Sequence, residues 1–186
     1  MNGLHEFDLS GFRAINVGLH SVWLDPFFCA LSYFGLGASQ TIFSLLFALH
    51  RSTRHFVLPL LIAAALGGFG VADGLKAVIV RDRPSNLPFA IRQEPWLESS
   101  FPSGHTTLVF SVATMLLFLT WNTRYRWVGP VGLVVAALVG VSRIYRGVHW
   151  PTDVIGGACC GIATSCFLYL VLPRLKLPVV KESPPV

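Results

Sequence analysis

Five long apolar segments constrain the fold of this chain more than any other feature. Each approaches the roughly 20 residues that a helix needs to cross the hydrocarbon core of a bilayer. We predict membrane spans at about 26–49, 56–80, 101–121, 127–144 and 153–172. Only 12% of the residues are charged, about half the share that is usual in a soluble domain. The sequence therefore predicts an all-α fold, in which residues 1–186 form one polytopic membrane helical bundle with about five transmembrane helices.

The segment 8–22 precedes the first span and is too polar to cross a membrane. Its apolar side chains recur at helical spacing, at Phe12, Ile15, Leu19 and Val22. Polar side chains fall between them, which is typical of a helix that lies in the membrane interface. We predict an N-terminal interfacial helix over 8–22, with a short helix packed on the bundle as the alternative.

The distribution of charge in the connections predicts an orientation. The connections at 50–55 and 122–126 and the tail at 174–186 are basic, and five spans place all three on one side. The tendency of basic loops to remain inside makes that side cytoplasmic. The loop 81–100 and the turn 145–152 then lie together on the periplasmic or extracellular face of a bacterial plasma membrane. Because the basic residues are scattered, the sequence does not favour a nucleic-acid partner.

Three cations fall at span ends on this outer face, at Lys76, Arg83 and Arg143. A charge inside the membrane boundary is costly without a partner. The planar fork of arginine suits the oxygens of a phosphate, and lysine adds a point charge. These residues therefore predict an anion site, although Lys76 alone is also explained by snorkelling or by pairing with Asp73.

The stretch "FPSGH" (101–105) opens the third span and adds two groups to this site. Ser103 and Gly104 are predicted at a helix N-terminus, where backbone N–H groups and the helix dipole favour an anion. Gly104 lets an oxyanion approach the backbone closely, and the hydroxyl of Ser103 adds a donor. An ordinary N-cap is the alternative for Ser103.

Two histidines and an aspartate supply reactive groups. Asp153 follows His149 by four residues, so its carboxylate can orient one ring nitrogen and leave the other free as a nucleophile. His105, on the other side of a bound phosphate, can protonate the leaving oxygen. A structural hydrogen bond is the alternative for His149 and Asp153. The sequence contains no metal-ligand cluster, so we predict neither a metal nor a cofactor.

The same residues carry a family resemblance in three parts. The first reads Lys76 "AVIVRD" Arg83-Pro84, the second is Pro102 to His105, and the third is Ser142-Arg143 "IYRGV" His149 "WPT" Asp153. Together, over 76–153, they resemble the signature of the type 2 phosphatidic acid phosphatase superfamily. The triple match, with each part at a span end, is far more specific than "PSGH" alone.

The resemblance implies a helical bundle with a phosphatase site at one end. It implies that His149 attacks phosphorus to form a phosphohistidine, that Asp153 holds His149, and that His105 protonates the leaving group. It also implies a set of ligands for the phosphoryl oxygens: Lys76, Arg83, Ser103, Gly104 and Arg143. Charge stabilisation and positioning then account for most of the catalysis.

The predicted partner is a lipid phosphate or diphosphate in the surrounding membrane, with undecaprenyl diphosphate favoured by the resemblance. Phosphatidylglycerophosphate, phosphatidic acid and lipid A phosphates are alternatives, and the loop 85–100 is the expected specificity element. Arg81 and Arg146 are extra cations that suit either a diphosphate or anionic lipid head groups. A non-catalytic lipid-phosphate binding or transport protein is the rival of another class. A structural bundle is the second rival, with "GGACCG" (156–161) as a helix-packing face. No oligomeric state is predicted.

Overall fold

The chain folds into eight α-helices within residues 2–95 and 99–172, which are the residues described by a computed structural model. They are α1 (Asn2–Phe12), α2 (Asp25–Phe34), α3 (Gly37–Leu46), α4 (Val57–Ala65), α5 (Asp73–Val78), α6 (Gly104–Thr120), α7 (Val128–Tyr145) and α8 (Pro151–Val171). A π-helical segment extends α1 over Arg13–Gly18, and another joins α4 to α5 over Leu66–Ala72. Single 3-10 turns lie at Phe47–Leu49, Arg54–Phe56 and Pro84–Asn86. The all-α prediction is confirmed for the described residues.

The predicted spans all correspond to helical segments, but they differ in length and straightness. Continuous helices of 25, 18 and 21 residues at Arg54–Val78, Val128–Tyr145 and Pro151–Val171 are long and apolar enough to cross a membrane. The helix α6 is shorter, with 17 residues. The first predicted span is bent by 68° between Asp25–Phe34 and Gly37–Leu49, at the glycines that interrupt its apolar run.

The helix α6 lies at the centre of the bundle and packs against α4, α7 and α8. Glycines of α8 allow a close approach of α8 to α6. A Cβ atom on Gly161 would lie 2.4 Å from the carbonyl oxygen of Thr107, and one on Gly157 would lie 2.8 Å from that of Ser103. The stretch 156–161 is therefore a helix-packing face, as its small residues predict. This contact holds the start of α8 beside the start of α6.

Replacement of Gly161 by alanine is expected to destabilise the protein. The added methyl group would meet a backbone atom that cannot rotate away, and such overpacking costs about 1–3 kcal/mol. Thermal unfolding in detergent should show a lower Tm for Gly161→Ala. The matched control is Gly74→Ala, because a Cβ at Gly74 meets nothing within 4 Å. An equal Tm for the two variants would contradict the packing interpretation.

The N-terminal helix differs from its prediction in its bounds and in its buried face. It runs over Asn2–Gly18 rather than 8–22. Asp8, Phe12 and Asn16 form its fully buried face. The amide of Asn16 donates to the carbonyl oxygens of Ile91 (2.9 Å) and Tyr145 (2.7 Å). Asn16 is therefore buried because it satisfies backbone acceptors in two other segments, a demand that helical periodicity does not reveal.

The connections separate into two ends of the bundle. At the end where α6 begins, the guanidinium of Arg83 donates to the carbonyl oxygen of Val148 at 2.7 Å. At the opposite end, His50, Thr53 and Tyr125 line one cavity of about 360 Å³. The two basic connections thus share one end, as predicted. The third basic segment, the tail at 174–186, lies outside the described residues.

Candidate active site

The three signature stretches meet where α6 and α8 begin and α7 ends. The backbone N–H of Ser103 donates to the carbonyl oxygen of Asp153 at 3.0 Å, which joins the second stretch to the third. Arg83 joins the first stretch to the third through Val148. Stretches that are distant in sequence therefore lie together at one end of the bundle.

His149 lies between a carboxylate and a guanidinium. Its Nδ1 atom is 3.4 Å from Oδ2 of Asp153, and its Nε2 atom is 3.2 Å from Nη1 of Arg83. The Nδ1 atom is not aligned for a hydrogen bond with any described residue. Contacts of this kind often shorten only when a substrate binds. The arrangement leaves Nε2 on the side of the cations, where an anionic substrate would bind.

Asp153 is held by more groups than the sequence predicts. Its Oδ2 atom accepts the backbone N–H of Trp150 at 2.9 Å, which caps the start of α8. Its Oδ1 atom pairs with Arg81, and the same guanidinium also pairs with Asp8 of α1. Asp8 in turn accepts the backbone N–H of Thr152 at 2.9 Å. Arg81 is therefore committed to two buried carboxylates and is not an extra cation for lipid head groups.

The surroundings of His149 keep its imidazole neutral. Burial is the largest cause, and Arg83, Arg143 and Lys76 add to it, so the pKa of His149 lies well below its ordinary value of 6.5. A lowered pKa means that the proton is already lost at neutral pH. The neutral ring therefore carries one unprotonated nitrogen, whose lone pair a nucleophile needs.

His105 stands in the first turn of α6 between two cavities. One, of about 200 Å³, is also lined by the polar residues Ser32, Glu94 and Arg146 and by Tyr33, Leu36 and Pro95. The other, of about 270 Å³, is also lined by Lys76, Gly104 and several apolar residues of the neighbouring helices. His105 thus faces two cavities, each of which combines charged groups with apolar side chains.

The start of α6 provides a close approach for Lys76. A Cβ atom on Gly104 would lie only 3.3 Å from Nζ of Lys76, so the ammonium group lies over the backbone there. The same ammonium group is 3.4 Å from Oδ1 of Asp73. Lys76 therefore pairs with Asp73, as one interpretation predicts, and at the same time lies against the start of α6.

Ser103 is fully buried at the N-cap position, but its side chain makes no capping hydrogen bond. Its hydroxyl accepts from the hydroxyl of Thr106 at 2.9 Å and keeps its own proton to donate. Its backbone N–H is already used by Asp153. Of the two predicted anion ligands at this helix start, Ser103 therefore has only its hydroxyl to offer.

Arg143 is buried and paired with Glu94, a residue that sequence reasoning did not select. Its Nη1 and Nη2 atoms donate to the two carboxylate oxygens at 3.0 and 2.8 Å. The same carboxylate accepts from Nε of Arg146 and from the hydroxyl of Ser32. Burial raises the pKa of Glu94, but Arg143 and Arg146 outweigh it and lower the value to about 2. Glu94 is therefore ionised at any physiological pH.

Asp8, Ser32 and Glu94 are the site-end residues that the sequence prediction missed. A signal for the carboxylates was available: Arg81 and Arg146 had no assigned partner, and buried cations need one. The need for a negative partner, however, does not identify which acidic residue of the chain supplies it.

Comparison with known proteins agrees with this geometry. The family model of the PAP2 superfamily matches residues 56–177, which include all three signature stretches. The chain belongs to the PAP2 superfamily. It is an integral membrane phosphatase of that superfamily, and the predicted family is confirmed.

Curated PAP2 relatives align over most of the chain. The bacitracin transport permease protein BcrC of Bacillus licheniformis is 30% identical, over 92% of this chain and 83% of its own. The undecaprenyl-diphosphatase of Sulfolobus acidocaldarius is also 30% identical, over 83% of this chain and 73% of its own. A transmembrane PAP2 type phosphatidylglycerolphosphate phosphatase from Bacillus subtilis has a similar fold, with a TM-score of 0.78, 24% identity, and coverage of 94% of this chain and 89% of its own.

The lowered pKa of His149 predicts the pH dependence of phosphatase activity. The acid limb of kcat/KM should lie below pH 6.5, because the neutral ring persists to lower pH. Arg83→Gln removes a neighbouring cation, raises the pKa of His149 and should move this limb to higher pH. The measurement is a pH–rate profile for wild type and variant with one substrate, so that ionisation of the substrate cancels. The control is Arg124→Gln, because Arg124 is exposed at the opposite end of the bundle. An acid limb that moved to lower pH in Arg83→Gln would refute the assignment of this limb to His149.

Proposed function

We propose that this PAP2 protein releases phosphate from a lipid diphosphate in the membrane, with undecaprenyl diphosphate as the favoured substrate. The observation that carries the proposal is the position of His149, with Nε2 3.2 Å from Arg83 and Nδ1 3.4 Å from Asp153. The 30% identity to an undecaprenyl-diphosphatase supports the choice of lipid. The site lies at the ends of apolar helices, where a lipid presents its phosphate.

In this proposal, His149 is the nucleophile of a two-step transfer. Its Nε2 atom attacks the terminal phosphorus, and the bond from phosphorus to the bridging oxygen breaks. His105 gives its proton to that oxygen, which leaves on the lipid. Water, deprotonated by His105, then attacks the phosphohistidine and releases inorganic phosphate. Asp153 holds the ring of His149 and stabilises the positive charge that develops on it.

The protein's own groups neutralise the phosphoryl oxygens in this scheme. Lys76, Arg83 and Arg143 supply three positive charges, and the Ser103 hydroxyl and the Gly104 backbone supply neutral donors. In this scheme these donors bind the oxyanions, and such charge stabilisation is the main requirement of phosphoryl transfer. We therefore propose that the reaction needs no metal ion.

A second candidate function is binding or transport of a lipid phosphate without cleavage. The name of the Bacillus licheniformis relative, a transport permease protein, favours it. The buried pair of His149 and Asp153 favours hydrolysis instead, because binding an anion does not require a neutral imidazole with an orienting carboxylate. Measured phosphate release separates the two functions.

Alanine at either histidine is expected to abolish phosphate release. His149→Ala removes the nucleophile, and His105→Ala removes the proton donor, so we expect kcat to fall at least about a thousandfold for His149→Ala. The measurement is inorganic phosphate released by purified protein in detergent, from a panel of lipid monophosphates and diphosphates, with and without a chelator. Activity should survive the chelator.

His50→Ala is the matched control for these variants, because His50 is exposed at the opposite end of the bundle. Wild-type activity in His149→Ala would remove the nucleophile assignment. A strict requirement for added metal would remove the metal-free mechanism. Bound but uncleaved lipid phosphate in the wild type would favour the transport function.

We also propose that the site faces the periplasm or the cell exterior. Arg92 is exposed at the site end and Arg124 at the other end. In a chain whose four free cysteines are replaced by serine, Arg92→Cys should react with a membrane-impermeant maleimide on intact cells. Arg124→Cys should react only after the cells are permeabilised. The reverse pattern would invert the orientation.

A further inference from the structure

The carboxylate of Glu94 occupies a ready-made anion site. Two parallel hydrogen bonds from Arg143, a contact from Arg146 and a hydrogen bond from Ser32 converge on it. Paired donation of this kind from a guanidinium also suits two oxygens of a phosphate. The donors therefore define a site whose chemistry is not restricted to a carboxylate.

The donor residues lie on helices or at a helix end, whereas Glu94, which they bind, lies in a loop without regular secondary structure. Ser32 belongs to α2, Arg143 belongs to α7, and Arg146 caps the end of α7. Glu94 lies between helices, and its side chain is 21% exposed. The neighbouring Gln93 anchors the backbone, with its N–H on the carbonyl oxygen of Arg146 (3.2 Å) and its side-chain amide on Asp25 (2.8 Å). Only the side chain of Glu94 has to rotate for the site to open.

Charge and space both allow another anion. Two arginines face one carboxylate, so the cluster keeps one unit of positive charge while Glu94 is bound. The site opens into the cavity of about 200 Å³ that His105 also lines. A phosphate entering through this cavity would neutralise both arginines more fully than Glu94 does.

The guanidinium of Arg143 has a further donor, Nε, in addition to the two Nη atoms that contact Glu94. Its Nε atom is buried and has no hydrogen-bond partner among the described residues. The Nη atoms of Arg143 serve the Glu94 site, so Nε remains for an oxygen of the phosphoryl group that His149 attacks. Arg143 can therefore stand between two phosphate groups and bind one on each edge.

We propose that Ser32, Arg143 and Arg146 form a second anion subsite, which Glu94 fills until the lipid-linked phosphate of a diphosphate substrate displaces it. This inference rests on the proposed function. The position of His105 indicates which phosphate lies in this subsite, because the bridging oxygen that His105 protonates is bonded to the lipid-linked phosphate. The subsite beside His105 is thus where the second phosphate must lie, and a monophosphate substrate leaves Glu94 in place.

The test compares kcat/KM for a polyprenyl diphosphate and the matching monophosphate in detergent. Glu94→Gln keeps the shape of the side chain and removes its competing charge, so the ratio of diphosphate to monophosphate kcat/KM should rise by about fivefold to tenfold. Arg146→Gln should lower the ratio by a similar factor, because it removes a charge from the subsite alone. Inhibition by pyrophosphate should tighten in Glu94→Gln more than inhibition by orthophosphate does.

Matched controls are Glu6→Gln and Arg124→Gln, which change the same charges at exposed positions, and Tm values confirm that each variant is folded. A ratio that falls in Glu94→Gln would overturn the proposal and make Glu94 a positioning residue for Arg143. A ratio that stays constant in both variants would also overturn it, while leaving the phosphatase function intact. A wild type that cleaves neither lipid would remove the proposed function together with this inference.

Discussion

Mutual neutralisation of buried charges governs one end of this bundle, since an unpaired ion taken out of water costs several kcal/mol. Arg81 joins Asp8 of the N-terminal helix to Asp153 at the start of α8. Glu94 neutralises Arg143 and Arg146. These pairs connect α1, the long loop, the end of α7 and the start of α8, so the electrostatic demand of the site also assembles the surrounding structure.

The same arrangement prepares the site for chemistry. The cations gathered at this end suit an anionic substrate, and Arg83, Arg143 and Lys76 also lower the pKa of His149. The central helix α6 presents His105 and Gly104 from its first turn. The glycines of α8 bring its start against α6 closely enough for Asp153 and Ser103 to share a backbone hydrogen bond. The small residues of α8 therefore serve both the packing of the helices and the position of Asp153 beside Ser103.

The positions of the helices were predictable from the sequence, because a span of the bilayer requires an apolar segment of a fixed length. The motif residues His105, His149 and Asp153 were found near the ends of these apolar segments. The role of Arg81 was open in the sequence, since its two carboxylate partners lie 73 and 72 residues away. The buried face of α1 was also hidden, because Asn16 is buried to satisfy carbonyl groups of other segments. Periodicity records apolar burial, but it does not record polar pairing.

The residues alone were enough to predict the all-α membrane class and the family, and to select candidate site residues at the ends of the spans. These follow from local length, composition and spacing, which do not depend on how the chain returns on itself. Which charges pair, in contrast, follows from the fold, because the partners lie far apart in the sequence. Glu94 illustrates the difference: it is one carboxylate in a polar loop until folding places it between Arg143 and Arg146, where low solvent access makes the choice of partner matter.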